Sequence, residues 1–296
     1  MAFIPKGIIP PIVTPFTADG EINEPALRQL IDHLIEEGVH GLFPMGTTGE
    51  FYGVTDEDYK KVLRITVDQT KGRVPVYAGT NHITTRGTIN MIKMAEDVGV
   101  DVITVLTPMF ISQTQEELYQ FYKTVSQSTK LPIIMYNNKP KTNITINPET
   151  VVRLAEIDNI IGIKDSTGDL TNTEEYIRLT RHNKNFHVLI GRDTLIHAAL
   201  CYGAVGAIAT CANIAPRLTV DIYEKYMAGD LKGSLEAQFK LAPLRIATNM
   251  GTFPQVVKES LMMQGFDVGN CLEPIGEITP EQKEKLKTLL TEMGLI

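Results

Sequence analysis

The sequence predicts an α/β protein of the (β/α)8, TIM-barrel class, with a helical appendage at its C-terminal end. Three observations point there. Short apolar runs alternate with amphipathic helical segments eight times within the first 230 or so residues. Each run is continuously apolar, as expected of parallel strands buried on both faces. A doubly wound open sheet would normally use fewer strands, and no Gly-x-Gly-x-x-Gly follows the first run. A chain of 296 residues is ordinary for one such barrel.

The strands are expected at 7–13, 41–45, 74–78, 102–106, 132–136, 160–164, 186–191 and 205–209. The first helix starts at Asn23-Glu24-Pro25 and carries Leu27, Leu30, Ile31 and Leu34 on one face. Thr55 caps the next, with Tyr59, Val62 and Leu63 inward, and a third helix spans about 84–98. Thr114 and Glu117 read as a capping box ahead of Leu118, Phe121, Tyr122 and Val125. Asn147 caps a helix with Pro148 at its first position. The sixth helix opens near Leu170, the seventh ends near Leu200, and Pro216 opens the eighth. Further helices are expected at 232–248, 254–263 and after Thr279-Pro280. No linker composition or longer repeat interrupts the chain, so it divides into a barrel, 1–229, and a helical region packed on it, 230–296.

Composition excludes several classes. A net charge of −7 argues against nucleic acid or an anionic membrane as partner. No apolar run approaches the roughly 20 residues needed to span a bilayer. The start lacks a basic, uninterrupted apolar leader, so a cytoplasmic location is expected. Cys201, Cys211 and Cys271 form no Cys-x-x-Cys pair, and the six histidines have no metal-ligand spacing. No metal is expected.

Barrel sites lie at the C-terminal ends of the strands, and three of those ends carry chemistry. Lys164 closes the apolar run Ile160-Ile161-Gly162-Ile163. An amine held there loses hydration, its pKa falls, and it can attack a carbonyl. A lysine snorkelling to water fits the same run. Gly46-Thr47-Thr48-Gly49-Glu50 can turn backbone N–H groups and two hydroxyls toward a carboxylate, though such a turn also serves as a plain connection. Tyr136, one strand from Lys164, can relay a proton or simply pack. No glycine-rich phosphate loop follows the last two strands, which weighs against phosphosugars.

Together Gly46-Thr47-Thr48-Gly49-Glu50, Tyr136-Asn137 and the run from Gly162 to Asp169 resemble the dihydrodipicolinate synthase / N-acetylneuraminate lyase family. The likeness runs from about Gly7 to the C-terminus, with the motifs in the family's order. It implies a barrel that activates pyruvate, or a 2-oxo acid cleaved to pyruvate, through a lysine Schiff base without metal or organic cofactor. By resemblance Lys164 is the Schiff-base residue and Tyr136 the proton shuttle. Thr47 and Thr48 hold the pyruvyl carboxylate, and the Ile208 main chain lines the site. The resemblance also implies a homotetramer built as a dimer of dimers.

Four positions depart from the named branches. Phe110 stands where the synthase has a tyrosine that reaches a neighbouring subunit's site, and a phenyl ring carries no proton. Lys141 stands where an arginine binds the second substrate's carboxylate. After Gly191 the lyase branch has Asp-Glu, but this chain has Asp193-Thr194 beyond Arg192, and Thr47 replaces a serine. The expected activity is therefore that of a class I aldolase cleaving or forming a small hydroxylated 2-oxo acid, with pyruvate as one component. Phe110, Lys141, Gly191 and Asp193 are its candidate contacts to the second substrate. The synthase reaction, pyruvate with aspartate semialdehyde, is the alternative, and a non-catalytic pyruvate-binding barrel is a third reading.

Overall fold

A computed structural model describes residues 3–296. Residues 1–2, where the barrel and leader expectations begin, lie outside it. Seven parallel strands form one sheet: β1 (Gly7–Ile9), β2 (Tyr77–Gly79), β3 (Val102–Leu106), β4 (Ile133–Asn137), β5 (Ile160–Asp165), β6 (His187–Ile190) and β7 (Gly206–Ile208). Their order is β1-β7-β6-β5-β4-β3-β2, each strand beside its sequence neighbour except where β7 meets β1. Helices separate the strands, giving a TIM-barrel-like fold.

The expected strand at 41–45 is corrected: it contributes one isolated parallel bridge, Leu42 to Val76. The cause lies in the prolines. Pro44 within it, and Pro10, Pro11 and Pro75 beside it, have no N–H to give to a ladder. The segment still bonds to both edges of the sheet. Toward β1, Phe43 N donates to Pro10 O at 3.0 Å and Ile12 N to Phe43 O at 3.1 Å. Toward β2, Tyr77 N donates to Leu42 O at 2.8 Å and Gly79 N to Pro44 O at 3.1 Å.

Inside the curl, Ile9, Phe43, Tyr77, Val102, Ile134, Ile161, Leu189 and Ile208 form one buried cluster. Each strand supplies one of these residues and the 41–45 segment supplies Phe43. Side chains on the other faces of the strands pack against the helices in a larger cluster that includes Leu27, Leu30, Ile31 and Leu34. These four are the predicted inner face of the helix Glu24–Glu36. The Thr114–Glu117 capping box forms as expected. Asn147 is corrected: its side chain makes no capping bond, and Pro148 starts the helix by its fixed φ alone.

Beyond the last strand come helices Pro216–Met227, Leu231–Ala247, Gln255–Met263 and Pro280–Glu292. Polar contacts tie them to the strand ends. Gln238 Nε2 donates to Asp193 O at 2.8 Å, and Lys258 Nζ lies 2.7 Å from Glu50 Oε1. No helix among the described residues is long and apolar enough to cross a membrane.

Candidate active site

Tyr136 on β4 and Lys164 on β5 are register partners, so their side chains leave the sheet on the same face at its C-terminal end. The apolar run preceding Lys164 buries β5 completely and takes the lysine with it, leaving the residue 4% exposed. Its Nζ lies 4.0 Å from the Tyr136 ring centroid and 5.0 Å from that of Phe43. Burial pushes the amine below the usual lysine range, resisted by Tyr136 and, at longer range, by Asp193. Burial pushes the Tyr136 phenol up, but the Lys164 charge and the neighbouring Thr47 and Ser166 hydroxyls outweigh it and hold the phenol below its ordinary value. The phenol also accepts a hydrogen bond from Asn138 Nδ2 at 2.8 Å. A buried amine with a lowered pKa thus sits beside a phenol that is also held below its ordinary value.

The Gly46-Thr47-Thr48-Gly49-Glu50 turn opens from the segment that joins the sheet's two edges. Met45 just before it and Glu50 at its end both have φ of +57°, an uncommon conformation for residues with a Cβ. A Cβ on Gly79 would meet Met45 O at 2.0 Å, so only glycine lets β2 approach this turn. The turn closes on itself through Gly49 N to Gly46 O at 3.1 Å. No backbone acceptor among the described residues takes the Thr47 or Thr48 N–H. The Thr47 hydroxyl is buried close to the phenol yet finds no partner in hydrogen-bonding geometry. Unmet donors gathered at one turn suit an anion.

Behind the turn, Glu50 and Lys258 form an ion pair with both side chains fully buried. Glu50 Oε2 also accepts from Leu272 N at 2.8 Å, and Lys258 Nζ donates to Asn270 O at 2.9 Å. The pair clamps the turn to the helix Gln255–Met263. Removing one partner leaves a buried charge uncompensated, which costs about 3–5 kcal/mol. Lys258→Met is therefore expected to lower the urea unfolding free energy by that amount. Glu50→Leu with Lys258→Met should recover most of it, and an unchanged midpoint in the single variant would refute the clamp.

The loop after β5 is held by Asp165. Its carboxylate accepts from Thr173 Oγ1 at 2.6 Å, Asn172 Nδ2 at 3.2 Å and Asn137 Nδ2 at 3.2 Å. Burial still raises its carboxyl above the usual range. Gly191, at the end of β6, leaves room for Ser166: a Cβ there would lie 1.9 Å from Ser166 Oγ.

These elements surround one cavity of about 230 Å³, lined by Thr47, Thr48, Tyr136, Lys141, Lys164, Gly191 and Asp193 among others. Seven of the nine sequence-predicted residues thus come together. Ile208 lies beneath, in the inner apolar cluster. Phe110 stands apart, 87% exposed and held at φ +80° on the loop after β3. Sequence reasoning missed Arg192, Arg245, Asn249 and Phe253, which also line the cavity. Arg192 was flagged only as a neighbour of Gly191. The other three come from the helix Leu231–Ala247 and the stretch after it, where no local pattern separates a site residue from a surface one. A larger cavity of about 710 Å³, near Phe16 and Leu272, holds none of these groups. Among the described residues no cluster of three His, Cys, Asp or Glu side chains could hold a metal.

A family model described as the dihydrodipicolinate synthetase family matches residues 4–293. The chain belongs to that family. Dihydrodipicolinate synthetase relatives align over nearly its whole length. The 4-hydroxy-tetrahydrodipicolinate synthase of Syntrophus aciditrophicus is 40% identical, covering 98% of this chain and 99% of the relative. The enzyme of the same name from Methanothrix thermoacetophila is 36% identical, covering 98% and 97%. Among solved structures, dihydrodipicolinate synthase from Thermotoga maritima superposes with a TM-score of 0.96 at 33% identity, covering 98% of this chain and 99% of that one. YagE of E. coli K12 is a prophage protein of the dihydrodipicolinic acid synthase family, solved in complex with pyruvate. It superposes with a TM-score of 0.95 at 33% identity, again covering 98% and 99%.

Proposed function

We propose that this family member is a carbon–carbon lyase, a class I aldolase that cleaves or forms a small hydroxylated 2-oxo acid with pyruvate as one component. The observation that carries the reading is the buried Lys164 amine 4.0 Å from the Tyr136 ring, in one cavity with the unpartnered Thr47 hydroxyl. The substrate carboxylate docks on Thr47 and Thr48. Neutral Lys164 adds to the keto carbon, and Tyr136 passes the proton that lets the carbinolamine lose water as an iminium ion. Tyr136 then takes the proton of the substrate's 4-hydroxyl. The C3–C4 bond breaks, its electrons enter the iminium as an enamine, and an aldehyde leaves. Protonation at C3 and hydrolysis return pyruvate and the free lysine. No cofactor takes part.

The frame we propose is a closed (β/α)8 barrel over 1–229, with 41–45 as its eighth staves' worth of backbone, and a packed helical region over 230–296. The hydrogen bonds of 41–45 to both sheet edges support the closure. The reading places the protein in the cytoplasm as a homotetramer, a dimer of dimers, with neither nucleic acid nor membrane as partner.

The test is incubation with pyruvate, borohydride reduction and mass analysis of the peptide carrying Lys164. An adduct is expected; its absence would leave a non-catalytic barrel. The synthase reaction is the second reading, favoured by the names of the full-length relatives and by Lys141 in the cavity lining. Against it stands Phe110, which has no hydroxyl to relay a proton. Cleavage of a panel of 4-hydroxy-2-oxo acids should therefore outpace condensation with aspartate semialdehyde, and the opposite order would reverse the ranking.

A further inference from the structure

The Tyr136 phenol has a companion two residues further along the chain. Side chains alternate along a strand, so Ile134, Tyr136 and Asn138 share one face of β4 and of the stretch that leaves it. Ile134 belongs to the inner apolar cluster, and Tyr136 and Asn138 both line the cavity. Asn137, between them, turns the other way. Its Nδ2 donates to Tyr176 Oη at 2.9 Å and to Asp165 Oδ1 at 3.2 Å, and its Oδ1 accepts from Ile146 N at 3.3 Å. Two adjacent asparagines thus serve different layers of the fold.

Asn138 also stands just before the short helix Lys139–Thr142, where an asparagine ordinarily caps with its side-chain oxygen. Here the side chain makes no capping bond. The main-chain carbonyl of Asn138 takes the helix donors instead, Lys141 N at 2.9 Å and Thr142 N at 3.0 Å. Thr142 Oγ1 donates to the same carbonyl at 3.2 Å and accepts from Thr107 Oγ1 at 3.0 Å, which ties the residue to the stretch after β3. The backbone is anchored, the amide is released from capping, and the residue is only 7% exposed. That amide reaches the phenol: Asn138 Nδ2 donates to Tyr136 Oη at 2.8 Å.

An amide N–H donates and does not accept. Held on the phenol oxygen, it sets the direction of the hydroxyl and leaves the phenol's own proton free to turn into the cavity. When Tyr136 gives that proton to the departing carbinolamine hydroxyl, water leaves and a phenolate remains. The amide then faces an anion, and a hydrogen bond to an ionised group is the stronger kind. When the phenolate takes the proton of the substrate's 4-hydroxyl, the phenol returns with its bond to the amide intact. The charged groups sharing the cavity are Lys164 on β5, Asp193 and Arg192 after β6, Lys141 after β4 and Arg245 from the helix Leu231–Ala247. Asn138 adds a neutral donor whose direction does not change as these titrate.

We infer that Asn138 is a positioning residue for the proton carrier: its amide aims the Tyr136 hydroxyl and holds the phenolate formed each time that hydroxyl gives up its proton. The inference rests on the aldolase reading. It adds a residue to which the resemblance assigns no role.

The test uses the full-length protein with two changes. Asn138→Leu removes the donor and keeps the volume, whereas Asn138→Asp keeps the shape and puts an acceptor in the donor's place. In Asn138→Leu the rate of borohydride-trapped pyruvate adduct formation should fall at least about tenfold, the worth of one hydrogen bond to a charged group. Steady-state turnover should lose in kcat while KM stays within about twofold, because the substrate carboxylate docks elsewhere, at Thr47 and Thr48. Added to Tyr136→Phe, Asn138→Leu should cost nothing further, since it acts only through the phenol. The alkaline limb should move up by about one pH unit, the equivalent of that tenfold loss, and at least as far in Asn138→Asp. Tyrosinate absorbance, taken as the difference each background makes with its Tyr136→Phe version, should show the same upward step without any turnover. If Asn138→Leu does not fold, the nearly isosteric Asn138→Asp carries the same comparisons. A limb or tyrosinate step that stays put or moves down would overturn the inference, as would an equal loss with and without the Tyr136 hydroxyl. Wild type that forms no adduct sinks the aldolase reading instead, and the tyrosinate step still decides whether Asn138 holds the phenol.

Discussion

Lys164→Met is expected to abolish both the borohydride-trapped pyruvate adduct and turnover, lowering kcat by roughly 10⁴-fold or more, the scale on which covalent nucleophiles are lost. The same change should stabilise the fold. Burial depresses the folded-state pKa of Lys164 below that of the unfolded chain. For a group shifted in that direction, stability is complete above the unfolded lysine pKa of about 10.4 and falls as pH drops toward the folded value. At neutral pH the wild type therefore carries a cost that methionine lacks. Thermal unfolding should show a higher Tm for Lys164→Met at pH 7, with the gap narrowing toward pH 10. A lysine kept for its chemistry at the expense of stability behaves this way. A destabilised Lys164→Met variant at neutral pH would mean that the amine is a structural anchor, and an adduct surviving in it would place the nucleophile elsewhere.

Tyr136→Phe has the second largest expected effect, a loss of about 10² to 10⁴ in kcat, the range for a positioned proton carrier. The ring would keep its place against Lys164, so the lysine should still form the pyruvate adduct, only more slowly. That split separates a proton carrier from a packing residue. If the tyrosine merely packed, phenylalanine would leave both rates unchanged. The phenol's pKa lies below its ordinary value because Lys164 stands beside it. The alkaline limb of the wild-type kcat profile should therefore begin below the usual tyrosine range of about 10. Tyr136→Phe should flatten that limb, and a limb that persists unchanged would assign it to another group.

Much of this site was legible in the residues. Lys164 and Tyr136 lie in the last residues of strands that apolar runs alone located, and the Gly46–Glu50 turn follows the apolar segment 41–45. Strand-end position is a local property, because an apolar run buries itself and delivers its last residue to the mouth. Resemblance then joined the three motifs, and the family match covers residues 4–293. The strand at 41–45 was misread because apolarity was weighed and donors were not. With Pro44 inside it and Pro75 opposite, the ladder lacks N–H groups that no hydrophobic pattern reveals.

Long-range contacts account for what the sequence could not show. Glu50 and Lys258 are 208 positions apart in the numbering, yet their side chains meet at 2.7 Å behind the Gly46–Glu50 turn. A lysine in the run Val256-Val257-Lys258 reads as strange for a buried helix face, but nothing nearby names its partner. Arg245 reaches Asp193 from a helix that begins after the last strand. The sequence by itself determined the alternation of strands and helices and the placing of a lysine and a tyrosine at neighbouring strand ends, because these follow from local periodicity. Only the tertiary structure decided which charges share a cavity and which neutralise each other, because charge pairing depends on distance in space and burial, and neither is written in the spacing of the chain.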